Sequence, residues 1–211
     1  MKIAVVTESS TVDKNKDVIE ALKGFDHEVI NAGMKKAEGE PSLNYIETSL
    51  IGAILLKLGV VDFVVGGCGT GQGFFNAIVQ YPGITCGLIQ DPTDAWLFAQ
   101  INGGNSISLA LNKGYGWAGD VNLKFIFEKL FSVEFGSGYP SHRKEIQKDA
   151  RELLNEISLK AHKPFIQIIE EMNSTTIKKV LTLPGMMELI ESAPPSGLKL
   201  KEALLLRYRE V

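Results

Sequence analysis

Cys68 stands in a run of glycines, Gly66-Gly67-Cys68-Gly69-Thr70-Gly71-Gln72-Gly73, where the apolar stretch VDFVVGG gives way to a helical pattern. The N–H groups at a helix start have no intrahelical partner and carry partial positive charge. Such a loop can hold a phosphate, a carboxylate or an oxyanion formed during reaction, and the same field favours the thiolate of a cysteine placed there. Glycines let those N–H groups face a ligand without an intervening Cβ. The competing reading is structural, because free cysteine is among the most buried residue types and suits a tight turn. Neither common phosphate loop fits. A Walker loop needs Lys-Ser/Thr where Phe74-Phe75 follow, and the dinucleotide fingerprint needs G-x-G-x-x-G where this loop reads G-x-G-x-G after the third strand. Asp91, about 18 residues beyond Gly73, keeps a nucleotide-binding enzyme as a weaker alternative.

The elements around the loop set its position. Short apolar runs (KIAVVT, HEVINAG, VDFVVGG, ITCGLI, SISLAL) alternate with helical patterns at Asp13 to Lys23, Ser42 to Leu58, Gln72 to Gln80, Asp91 to Gln100 and Ala118 to Phe131. Buried parallel strands read as continuous apolar runs, so the order predicts an α/β fold, a Rossmann-like doubly wound sandwich with a five-stranded parallel sheet. The cysteine loop then lies at the carboxyl end of a strand, the edge where open parallel sheets bind ligands. From Ser141 onward the texture becomes charged and helical. This divides the chain into a Rossmann-like domain, 1–140, and a helical C-terminal extension, 141–211, that packs on the sheet or on a second subunit. Pro194-Pro195-Ser196-Gly197 separates the last two helices.

With 211 residues, 45% hydrophobic and 22% charged, the chain can bury one full core. A formal charge of −3 without a Lys/Arg cluster excludes an electrostatic footprint for nucleic acid or anionic lipid, which leaves a small molecule as the expected partner. No apolar run reaches the ~18 residues of a membrane span, and the first residues enter a strand pattern rather than a signal peptide, so a cytoplasmic protein is expected. Cys68 and Cys86 make no disulfide framework, and Cys86, among Ile84, Leu88 and Ile89, reads as core with no partner for a metal site.

The stretch from Val61 to Leu111 resembles the ribose-5-phosphate isomerase B family, which includes the galactose-6-phosphate isomerase subunits. The resemblance rests on Cys68-Gly69-Thr70-Gly71-Gln72-Gly73, Gly83-Ile84, Asp91-Pro92, and Asn102 with Asn105. It implies aldose–ketose interconversion of a sugar phosphate through an enediolate, without metal or organic cofactor. Cys68 would be the base, Gly69, Gly71 and Gly73 would belong to the anion hole, and Thr70 would position the substrate. The members are dimers or tetramers with shared sites, so Asn102 and Arg143 would serve the neighbouring subunit's cysteine.

Three positions depart from the family. Glu8-Ser9 stands where Asp-His is usual, Ile101 replaces a histidine associated with opening the sugar ring, and Tyr139 replaces a phosphate-binding arginine. These changes point to an open-chain substrate, a different sugar phosphate, or a replacement acid. A non-catalytic protein that kept only the phosphate cradle is the alternative. Glu8 and Ser9 either bind sugar hydroxyls or cap the following helix. Asn102 and Asn105 bind hydroxyls or fix a turn. His142 and Arg143, in GSGYPSHRKE, either grip a dianion at a helix start or form a solvated basic pair. Asp91 is expected as an N-cap, and His162 in mid-helix.

Overall fold

A computed structural model describes residues 1–210 of the chain. Five parallel strands form one sheet in the order β2-β1-β3-β5-β4: β1 (Lys2–Val6), β2 (Glu28–Asn31), β3 (Phe63–Cys68), β4 (Cys86–Ile89) and β5 (Ser106–Ala110). The chain leaves β1 in one direction to reach β2 and in the other to reach β3, so the strand order reverses between β1 and β3. The crevice that opens there, at the carboxyl ends, lies between the residues after Val6 and the loop of Cys68.

Alternation along the strands feeds two cores. Ala4, Val6 and Val64 face one side, against α2 (Tyr45–Leu58) and α3 (Gln72–Ile78). Ile3, Val5, Phe63 and Val65 face the other, against α1 (Asn15–Leu22), α4 (Pro92–Leu97) and α5 (Gly119–Phe131). Helix α2 begins with a capping box between Asn44 and Glu47 and ends on Gly59 in the left-handed region at φ 73°. It is apolar nearly all round, as a helix covered on every side must be.

Its outer cover is the end of the chain. Helices α7 (Phe165–Glu171), α8 (Ser174–Leu181), α9 (Met186–Glu191) and α10 (Leu198–Glu210) place Ile169, Ile177, Val180, Ile190 and Leu204 in the α2 core. Helix α6 (Lys144–Ala161) is different, since none of its residues is buried. Three expectations are revised. The first helix opens with a 3-10 turn, Val12–Lys14, before α1. His162 is the C-cap of α6 rather than a mid-helix residue, because Pro164 cannot continue the helix. The fourth helix, expected over Asp91 to Gln100, divides into α4 and a wider π-helical turn, Phe98–Asn102.

Candidate active site

The Cys68 loop is held by its carbonyls. Leu111 N–H donates to Cys68 O at 3.0 Å, and Asn112 and Lys113 N–H donate to Gly69 O at 3.1 and 2.8 Å. Cys68 is 7% exposed as a residue, and its sulfur lies 3.9 Å from Thr70 Oγ1. Of the loop's donors, Gly71 N–H is spent on Cys68 O and Gln72 N–H on Thr70 Oγ1, both within the turn.

The glycines of the loop serve different purposes. Only Gly71 takes positive φ, at 77°, as the residue that opens α3. Gly66 and Gly67 are required by close approach: a Cβ would meet the Phe74 ring at 2.1 Å and Leu109 O at 2.4 Å. A Cβ at Gly73 would meet Tyr45 at 2.9 Å, so the exposed Tyr45 ring lies against the loop.

Glu8 is 4% exposed and does not cap a helix. Its carboxylate accepts from Ser10 N–H at 3.1 Å and from the Ser10 hydroxyl in a short contact. Ser10 Oγ in turn lies 3.8 Å from where a Gly69 Cβ would be, and Asn112 Nδ2 donates to Ser10 O at 3.0 Å. The structure thus gathers Glu8, Ser10, Cys68, Gly69, Thr70, Gly73, Tyr45 and Asn112 at the switch-point edge. Ser9 flanks this group, exposed, with its N–H on Leu43 O. Ser10, Tyr45 and Asn112 were missed from the sequence. The available signals were weak, namely a polar residue after an apolar strand and an aromatic at the start of a helix.

The remaining site residues lie elsewhere in the chain. Asn102 ends the π-helical turn and lines a cavity with Thr85, at the amino end of β4. Cys68 pairs with Ala110 at the carboxyl end of β5, whereas Cys86 pairs with Ser106. Four residues of strand rise and two strand spacings separate the two places by on the order of 15 Å. His142 and Arg143 are exposed in a 3-10 turn before α6, and among the described residues neither side chain bonds to the Cys68 loop. Asn105 fixes a turn, donating to Gly83 O and accepting from Thr85 N–H. Asp91 caps α4 through Thr93 and Asp94 N–H. Burial pushes the Cys86 thiol up to about 12, so it stays protonated at neutral pH. Among the described residues there is no cluster of three metal-ligating side chains, and no helix is long and apolar enough to cross a membrane.

A doubly wound parallel sheet with a cysteine-glycine loop at its switch point defines a class of ligand-binding α/β proteins, and comparison with known proteins narrows it. The family model described as Ribose/Galactose Isomerase matches residues 3–148. The chain belongs to this family, and is a sugar isomerase in class. A ribose-5-phosphate isomerase from Vibrio parahaemolyticus is 37% identical, with a TM-score of 0.90 over 97% of this chain and 99% of that one. A 4-deoxy-L-threo-5-hexosulose-uronate ketol-isomerase, crystallised with a tartrate, is 35% identical, with a TM-score of 0.91 over the same shares. Both therefore match the C-terminal helices as well as the sheet domain. A ribose 5-phosphate isomerase from Thermotoga maritima, 24% identical, has a TM-score of 0.57 and covers 70% of this chain and 97% of that one, a likeness of fold. No curated protein matches the chain.

Proposed function

We propose that the protein is a cofactor-independent aldose–ketose isomerase in which Cys68 is the general base. In the open-chain aldose the thiolate takes the C2 proton and the electron pair shifts toward the C1 carbonyl, forming an enediolate. Return of the proton to C1, with transfer of the hydroxyl proton from O2 to O1, gives the ketose and restores the thiolate. Gly69, Thr70 and Gly73 N–H are the donors assigned to the transient oxyanion, and the Thr70 hydroxyl positions the substrate. Glu8, Ser9 and Asn112 bind sugar hydroxyls. The observation that carries this reading is the pinned Cys68 loop beside a buried Glu8 carboxylate at the switch-point edge.

The site is completed by a second copy. Asn102 lies on the order of 15 Å from the Cys68 of its own chain, and His142 and Arg143 stand exposed in the turn before α6 with no bond to that loop among the described residues. An assembly of two or four copies, in which these residues reach the neighbour's Cys68, accounts for their placement.

The substrate is a sugar carrying an anion, and a sugar phosphate is the first reading. A second is an open-chain sugar acid. Ser9, Ile101 and Tyr139 in place of two histidines and an arginine favour it, as does the end-to-end likeness to a uronate ketol-isomerase. Turnover assays on pentose and hexose phosphates and on open-chain uronates separate the two. Cys68→Ala should keep the melting temperature and lose exchange of the C2 proton with solvent. Undiminished exchange would exclude Cys68 as the base, and ligand-induced stabilisation without any turnover would make the protein a binding protein.

A further inference from the structure

The π-helical turn before β5 ends in carbonyls that have no partner within the helix, and the loop after α5 together with Arg151 of α6 takes them up. Gly103 N–H closes the turn on Phe98 O at 2.9 Å. The next three carbonyls, Ala99, Gln100 and Ile101, accept from Gly136 N–H at 2.8 Å, Gly138 N–H at 2.9 Å and Arg151 Nη1 at 2.9 Å. Arg151 Nη2 donates to Gly136 O at 3.1 Å, so one guanidinium bridges the turn that ends in Asn102 and the loop that leads to His142 and Arg143. Gly136 and Gly138 hold φ of 75° and 89°, and a Cβ at Gly136 would meet Arg151 Nη2 at 2.9 Å. One turn earlier on α6, Gln147 accepts from Tyr139 N–H and donates to Tyr139 O.

Short π-helical segments occur often at functional sites, where they turn a side chain out of the helical register. Here the turned-out residue is Asn102, which is exposed and lines one cavity of about 130 Å³ together with Arg151 and Gln147. Among the described residues Arg151 has no carboxylate within ion-pair distance, and the hydrogen bonds it makes go to backbone carbonyls. Its planar fork suits this role, whereas a lysine presents a single point of charge.

We infer that Arg151 is a positioning residue for the isomerisation. It lies three residues beyond the stretch matched by the family model, 3–148, and makes helix α6 a working part of the site. The inference rests on the proposed role of Asn102 in a neighbour's site. Arg151→Met should lower kcat by about tenfold or more with KM nearly unchanged, and Arg151→Lys should restore only part of it. In a double-mutant cycle, Arg151→Met should add little to the loss produced by Asn102→Ala, because both remove the same contribution. Multiplying losses, or an Asn102→Ala enzyme with full kcat, would overturn the inference. Amide exchange tests the clamp without any turnover: in Arg151→Met, the Gly103, Gly136 and Gly138 amides should exchange about tenfold faster or more while the melting temperature is held. Unchanged exchange at those amides would also overturn it, whereas failure of the isomerase reading itself would show as C2 exchange surviving in Cys68→Ala.

Discussion

The two halves of the C-terminal extension face opposite ways. In α7 to α10 the apolar residues point into the chain's own core, where Ile169, Ile177, Val180, Ile190 and Leu204 are fully buried on α2. In α6 the polar side points inward. Arg151 reaches Ile101 and Gly136, Gln147 reaches Tyr139, and Ser158 accepts from Gly83 N–H at 2.9 Å. The apolar residues Ile146, Leu153 and Ile157 point out, each more than half exposed. A helix that turns its polar side toward its own chain contributes little apolar burial to that chain's stability. The difference separates a segment that completes the fold from one whose exposed apolar face suits the proposed contact with a second copy.

The sharpest break in this comparison is truncation after His162. It removes the cover of α2, exposing a helix buried on every side, and the remaining chain should fail to give a cooperative melt in circular dichroism. Next comes Ile177→Ala, which should cost about 2–5 kcal/mol in denaturant unfolding, the usual range for emptying a fully buried aliphatic site. Leu153→Asp with Ile157→Asp should change the stability of the single chain by only about 0.5 kcal/mol per site, as exposed substitutions do. If the proposed assembly of two or four copies uses this face, the same variant should sediment as a monomer, and its turnover should fall with the proposed shared site. Association that survives both charges would place the contact elsewhere than on α6. Least affected should be Lys179→Met, which removes the 3.3 Å pair with Glu47. The lysine end is well exposed, and Glu47 keeps its bond to Asn44 N–H, so a loss of about 1 kcal/mol or less is expected.

Much of this was legible in the sequence, and what was not has a common cause. Five apolar runs with helices between them can bury their faces in few ways, and the sheet followed from them. Pro92 marks a helix start because its ring fixes the backbone, and Gly59 marks a helix end because glycine enters the left-handed region freely. The Cys68 loop was equally readable, since glycine spacing at a strand-to-helix turn is a local property. Tyr45 and Asn112 were not, because they reach the loop from α2 and from beyond β5. Nor was the split within the extension: α6 and α8 both read as amphipathic, and only their surroundings show which side is covered.

The amino-acid sequence by itself determined the parallel sheet, the helical tail, and the family through its cysteine-glycine loop, all of which depend on periodicity and on residues close in the chain. The tertiary structure alone decided that Glu8 is buried beside Ser10, that Asn102 lies far from its own Cys68, and that Arg151 ties α6 to the turn carrying Asn102. Each of these is a meeting of residues distant in sequence, and such contacts follow from how the elements pack rather than from any local preference.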